Sequence, residues 1–171
     1  MSTIKLETSD GVKFTVKTQV AKCSGTIRTM LEDIGINPQE GEAIPLSNVH
    51  STILQKILVW AEHHVDDPEP PRDDADAAKR TDDICSWDED FLKVDQRTLF
   101  DVMLAANYLD MKQLIAVCCK TVANMIKGKT ADQIRRTFNI ENDFPPGEED
   151  KIRLRNQFCE ERSAQTIKIS L

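Results

Sequence analysis

Residues Asp95 to Ile140 read DQRTLFDVMLAANYLDMKQLIAVCCKTVANMIKGKTADQIRRTFNI. In the first half, Leu99, Val102, Met103, Ala106 and Leu109 recur at the spacing of one helical face. Phe100, Leu104 and Tyr108 form a second stripe, offset by about one position. A second helix repeats the arrangement, with Leu114, Cys118, Thr121 and Met125 against Ile115, Cys119, Val122 and Ile126. One stripe per helix serves a core. Two stripes leave two readings open. Either both helices are buried all round, or they form a layer with one face inward and the other kept for a partner.

Downstream, Gly128 ends the pair of helices, and Thr130-Ala131-Asp132-Gln133 has the pattern of a capping box. The helix it opens is short, with Ile134 and Phe138 one turn apart and Ile140 beyond. Phe144-Pro145-Pro146-Gly147 separates it from a charged last helix whose main apolar residues are Ile152 and Phe158, with Leu154 on another face. So few apolar groups cannot hold two helices down alone. The segment therefore reads as one ordered by a partner. The tail, Ser163 to Leu171, is expected to fray. Its alternating Ile167, Ile169 and Leu171 would also suit strand addition or capture of the terminal carboxylate in a PDZ-type groove.

Upstream, Ile4 to Thr8 and Val12 to Lys17 alternate apolar and polar around Ser9-Asp10-Gly11. This predicts a β-hairpin with Ile4, Leu6, Phe14 and Val16 facing a core. Val20, Cys23, Ile27, Met30, Leu31 and Ile34 follow at helical spacing, predicting one helix that ends at Gly35, before Asn37-Pro38. Ile44-Pro45-Leu46 predicts a third strand at a sheet edge, where proline is tolerated. Ser47 or Asn48 would cap the next helix, which packs Ile53, Ile57, Trp60, Ala61 and His64. Asp66 to Ala78 reads DDPEPPRDDADAA, with nothing to bury, and is expected to be a disordered acidic loop. Structure resumes at Thr81, where Trp87, Phe91, Leu92 and Val94 lead into the central helices. Three short strands among helices make an α+β fold.

The chain has 171 residues and a formal net charge of -7. That length supports a core without disulfides or metals. An acidic chain without a Lys/Arg-rich run argues against nucleic acid as a direct partner. No apolar stretch approaches the ~20 residues that span a bilayer. The start, MSTIKLETSDG, lacks the pattern of a secretory signal, so the expected location is cytoplasm and nucleus. The cysteines are Cys23, Cys85, Cys118, Cys119 and Cys159, an odd number without C-x-x-C spacing. That fits neither a disulfide framework nor a zinc cluster. His63 and His64 adjoin Asp66 and Asp67, but adjacent helical histidines diverge and match no ligand spacing. Cys118 and Cys119 lie on apolar stripes, and none of His50, His63 and His64 is tied to them as a base. There is no Gly-rich phosphate loop, G-x-S-x-G or H-E-x-x-H. We expect no enzyme activity, no cofactor and no metal.

Several segments, in one order, resemble a known family: IRTMLED (Ile27 to Asp33), RTDDICSW (Arg80 to Trp87), AANYLD (Ala105 to Asp110), CKTVANMIKGKT (Cys119 to Thr130), Ile134-Arg135 and TFNI (Thr137 to Ile140). They are similar to the S-phase-kinase-associated Skp family, adaptor subunits of SCF (Skp, cullin, F-box) ubiquitin ligases. The resemblance covers about residues 3 to 162. It implies a BTB/POZ-type core over residues 1–127 that binds a cullin, an F-box-binding helical extension over 128–162, and a flexible tail over 163–171. Such an adaptor works by geometry, holding a substrate receptor near the activated ubiquitin.

On the cullin side the resemblance implies Asn107 and Tyr108, within the Ala-Asn-Tyr-Leu-Asp motif. Tyr suits an interface anchor, although Tyr108 also reads as a core residue with a hydrogen-bonded tip. On the F-box side it implies Val122, Met125, Ile126, Ile134, Phe138, Ile140, Phe144, Ile152 and Phe158. Such a surface adapts to many receptors sharing one loose motif. The sequence also departs from the family pattern. Phe158 stands where the pattern has Trp, Arg97 replaces a glycine, and Ile84-Cys85-Ser86-Trp87 lacks a proline. Pro145-Pro146-Gly147 and the tail after Arg162 are unusual too, which together suggests a divergent paralogue. Two other roles stay open: a BTB-type module that self-associates, giving a weak homodimer when free, and a structural subunit, as in a centromere complex, that holds an F-box protein without a cullin.

Overall fold

Alternation at Ile4, Leu6 and Thr8 puts one face of the first strand into the core and leaves the other to solvent. A computed structural model describes residues 2–33, 43–67 and 83–156. Strand β1 is Thr3–Thr8 and β2 is Lys13–Lys17, paired antiparallel with Leu6 opposite Phe14 and Ile4 opposite Val16. Gly11, at φ 78°, takes the left-handed turn position that a side chain would resist. Strand β3, Ala43–Leu46, lies parallel to β1 on its other side, giving the order β2-β1-β3. Pro45 is exposed on this edge strand, as expected.

The expected helix from Val20 onward is interrupted. Helix α1 is only Thr18–Ala21, and α2 begins afresh as Gly25–Asp33. Ser24 causes the break, because its Oγ accepts from the backbone N of Ile27 at 3.1 Å. That side chain offers the backbone a cap instead of a continued helix. Helix α3 is Ser51–His63. Neither Ser47 nor Asn48 caps it. The N-cap is His50, and Asp10 of the hairpin turn reaches across to accept from both the backbone N (3.1 Å) and Oγ (2.6 Å) of Ser51. The hydroxyls of Ser51 and Thr8 hold the Asp10 carboxyl well below the usual carboxylate range. Leu54, Ile57, Trp60 and Ala61 are the buried residues of α3, while Ile53 is half-buried.

Helix α4 is Ser86–Phe91, capped by Cys85, whose sulfur accepts from the backbone N of Asp88. Cys85 has φ -64°, inside proline's range, so the backbone there keeps the geometry a proline would impose. His63 stacks on Trp87 with ring centroids 3.9 Å apart. Buried Asp88 accepts from Trp60 Nε1 at 2.8 Å and lies 3.1 Å from His64 Nε2. The adjacent histidines thus fasten α4 to α3. Among the described residues no cluster of His, Cys, Asp or Glu is arranged to hold a metal ion.

Helix α5 is Gln96–Tyr108 and α6 is Lys112–Ile126. Asp95 caps α5 by accepting from the backbone N of Thr98 at 3.0 Å. One stripe of each helix joins the core, including Leu99, Val102, Ala106, Leu109, Leu114 and Cys118. The other stripe reaches the core only in part, through Tyr108, Ile115 and Val122. Phe100 and Leu104 are exposed, Leu104 by 68%, and Ile126 by 39%. Burial all round is therefore not the arrangement, and the helices carry one inward and one outward apolar face.

The chain divides into two compact units, Met1–Lys127 and Gly128–Leu171. The second contains α7, Ala131–Phe138, with both halves of the Thr130/Gln133 capping box formed. A further helical stretch occupies 148–156. No described helix is long and apolar enough to cross a membrane. The expectations for Gly35, Asn37-Pro38, the loop after Asp67, Thr81, Phe158 and the tail fall outside the described residues.

Candidate functional site

The first candidate surface is the corner where α5 gives way to α6. Asn107 is exposed in the last turn of α5. Tyr108 is half-buried and packs against the core, so the anchor and core readings of this residue are both partly met. Asp110 turns the chain at φ 50°, in the left-handed region that Asp tolerates better than most residues. Four hydrogen bonds strap this corner to the start of α2. Ser24 Oγ donates to the Leu109 carbonyl at 2.6 Å and Thr26 Oγ1 to the Tyr108 carbonyl at 2.9 Å. The backbone N atoms of Gly25 and Thr26 donate to the Asp110 and Leu109 carbonyls, each at 3.3 Å. A Cβ on Gly25 would lie 2.2 Å from an Asp110 carboxylate oxygen, so glycine lets the two segments close together. Sequence reading missed this strap. Its residues are small and polar, and their partners lie more than 80 positions away.

The outer stripe of α5 and α6 is the second feature of this unit. Of this stripe, Val122 is half-buried against the core and Ile126 is exposed, while Met125, at the end of the inner stripe, is also half-buried. Phe100 and Leu104, noticed in the pattern but not included among the expected site residues, are more open than Val122.

In the second unit, Ile134 and Phe138 are half-buried one turn apart on α7. Ile140, Phe144 and Ile152 are exposed by 55%, 43% and 37%. No residue of α7 is fully buried. The described part of the unit therefore carries open apolar groups and no fully buried apolar residue. Arg135 links its parts, donating from Nη1 to Asp132 at 2.9 Å and to Glu149 at 3.1 Å. Its guanidinium carbon lies 5.6 Å from the centre of the Phe144 ring. Hydrogen bonds from Arg135 and then Asn142 hold the Glu149 carboxyl below its ordinary value.

The Cys118 and Cys23 thiols are poorly suited to nucleophilic chemistry. Burial, then the neighbouring Cys119 and Asp88, push Cys118 up to about 12, and burial raises Cys23 as well. A reactive cysteine needs the opposite shift.

Sequence comparison agrees with an interaction protein. Residues 2–66 match the Skp1 family, tetramerisation domain, and residues 112–159 match the Skp1 family, dimerisation domain. The Skp1-related protein of Caenorhabditis elegans is 54% identical over 161 residues, covering 92% of this chain and 92% of that protein. The E3 ubiquitin ligase complex SCF subunit sconC of Arthroderma otae is 52% identical over 162 residues, covering 94% and 96%. Its counterpart in Arthroderma benhamiae is 53% identical over 159 residues, covering 92% and 95%. With open apolar surface in both units and family matches in both the N-terminal and C-terminal parts of the chain, this chain belongs to the Skp1 family.

Proposed function

We propose that this chain is the non-catalytic adaptor of an SCF-type ubiquitin ligase, bridging a cullin scaffold to F-box substrate receptors. The observation that carries the reading is the pairing of over 50% identity to named SCF subunits with two units that each expose apolar side chains. In this reading Asn107 and Tyr108 meet the cullin at the strapped corner. Val122, Met125, Ile126, Ile134, Phe138, Ile140, Phe144, Ile152 and Phe158 meet the F-box motif. The chain contributes proximity instead of a reacting group: it raises the effective concentration of substrate near charged ubiquitin. It works in cytoplasm and nucleus, and it takes no cofactor or metal.

Tagged full-length chain, purified from its own cells and analysed by mass spectrometry, tests this. Recovery of an F-box protein together with a cullin is the expected result. F-box protein without cullin would replace the ligase role with a structural one. Neither partner would overturn the adaptor reading.

The exposed Phe100 and Leu104 favour one addition. The free chain self-associates weakly through the outer stripe of α5.

A further inference from the structure

The C-terminal unit has a packing problem. An apolar surface meant to be covered by a partner cannot also be the glue that arranges it. Ile140, Phe144 and Ile152 are open, and α7 buries nothing fully. Among the described residues, a ring of polar contacts closed by one guanidinium joins α7, the Phe144 segment and the 148–156 helix. Arg135 reaches Glu149 at 3.1 Å, and Glu149 Oε2 accepts from Asn142 Nδ2 at 3.0 Å. Asn142 Oδ1 accepts from the backbone N of Phe144 at 3.2 Å, and the Phe144 ring returns to the Arg135 guanidinium at 5.6 Å. Asp132 holds the same Nη1 from within α7 at 2.9 Å, and Arg153 lies 3.6 Å from Glu149. The Arg135 side chain is only 17% exposed, and that of Glu149 31%, so solvent screens the pair less than an open surface pair. The main chain reinforces the ring. Asn139 adopts the left-handed C-cap, and the backbone N of Ile140 donates to the Arg135 carbonyl at 2.8 Å.

We propose that Arg135 is a positioning residue for F-box recognition, which stacks Phe144 and clamps the 148–156 helix through Glu149 so that both are presented in one arrangement. The proposal rests on the reading that an F-box protein docks on this extension. A planar, multi-donor guanidinium can bridge two carboxylates and face a ring at once, whereas a lysine ammonium is a single point charge and cannot do all three. Without the staple, the arrangement that binds is one among many. If its population falls to about a tenth, the apparent affinity falls about tenfold without the loss of any direct contact.

The test uses the full chain and a recombinant F-box domain, titrated calorimetrically against wild type, Arg135→Gln, Arg135→Lys, Glu149→Gln and the Arg135→Gln/Glu149→Gln pair. In parallel, heteronuclear amide NOE values are read in the free chain over residues 142–156. We expect Arg135→Gln to weaken F-box binding about tenfold, Arg135→Lys to recover only part of it, and the double variant to be no weaker than the worse single one, since both act through one contact. The NOE values should fall over 142–156 and stay unchanged in α5 and α6. Binding by Arg135→Gln within about twofold of wild type, well inside the shift expected from a tenfold population loss, overturns the proposal. So does weakened binding with unchanged NOE values, which would make Arg135 a direct contact. A wild-type chain that ignores the F-box domain altogether sinks the adaptor reading itself.

Discussion

The Ser24 hydroxyl donates to the carbonyl of Leu109, 85 residues away, at 2.6 Å. The same oxygen accepts from the backbone N of Ile27, so one buried atom both starts α2 and fixes the α5–α6 corner. Ser24→Ala removes the cap on the Ile27 N–H and one of the two donors to the Leu109 carbonyl, and should cost about 1–3 kcal/mol in chemical denaturation. It should also weaken cullin binding, because the loosened corner carries Asn107 and Tyr108. An unchanged unfolding midpoint would mean the strap is not under load.

Asn107→Lys is the clean test of the cullin surface, since Asn107 is exposed and its loss disturbs no packing. Tyr108→Lys removes a side chain that also packs on the core, so it lowers stability as well. The double variant should abolish cullin capture, an interface anchor costing ~2 kcal/mol or more, and should leave F-box binding intact. Wild-type cullin capture by the double variant would move the interface elsewhere.

Much of the fold was legible because its signals are local. Alternation at Ile4, Leu6 and Val16, the proline-tolerant edge at Pro45, and the capping box at Thr130 and Gln133 each depend on neighbours in sequence. The failures are equally specific. Periodicity ran straight through Ser24, because a capping side chain leaves the apolar spacing intact. Neither Ser47 nor Asn48 caps α3: the N-cap is His50, and Asp10, 41 residues before Ser51, accepts from the first-turn N–H. The double stripe showed that α5 and α6 had two apolar faces. Only burial could tell which faces outward. For the extension, counting apolar groups overlooked the charged residue that links the described parts.

Leu99 and Leu104 sit on opposite stripes of α5, 2% and 68% exposed. Leu99→Ala should cost about 2–5 kcal/mol through the lost core contacts and the cavity left behind. Leu104→Asp should leave the melting temperature nearly unchanged, and in sedimentation equilibrium it should abolish the weak self-association of the free chain. If Leu104→Asp associates like wild type, the outer stripe is not the self-association surface.

Cysteine labelling probes the burial of α6 directly. In a Cys159→Ser chain at pH 8, maleimide should label exposed Cys85 and Cys119 within minutes, with half-buried Cys23 slower. Cys118 is fully buried and held near 12, so it remains a protonated, shielded thiol until the protein unfolds. Peptide mass spectrometry reads each site. Rapid modification of Cys118 in native buffer would show that α6 opens readily from the core.

The two units should differ in how easily they open. Among the described residues, every fully buried apolar one lies between Ile4 and Cys118, inside the first unit, whereas the described part of the second carries capping contacts and the Arg135 ring. Fixing a residue costs ~1–2 kcal/mol in chain entropy. An F-box partner would supply the missing apolar burial at ~25 cal/mol per Å². In the free chain, amides of α7 and the 148–156 helix should therefore exchange orders of magnitude faster than those of α5 and the first half of α6. Good local order on the fast timescale of NOE measurements is compatible with such slow, frequent opening. Binding of an F-box domain should protect residues 130–156 strongly and leave α5 exchange little changed. Cutting the chain after Lys129 should remove F-box binding, while the remaining core, which keeps all of those buried residues, still melts cooperatively and still captures cullin. Equal protection of α7 and α6 in the free chain would mean that the receptor surface is already formed and that binding energy is not needed to order it.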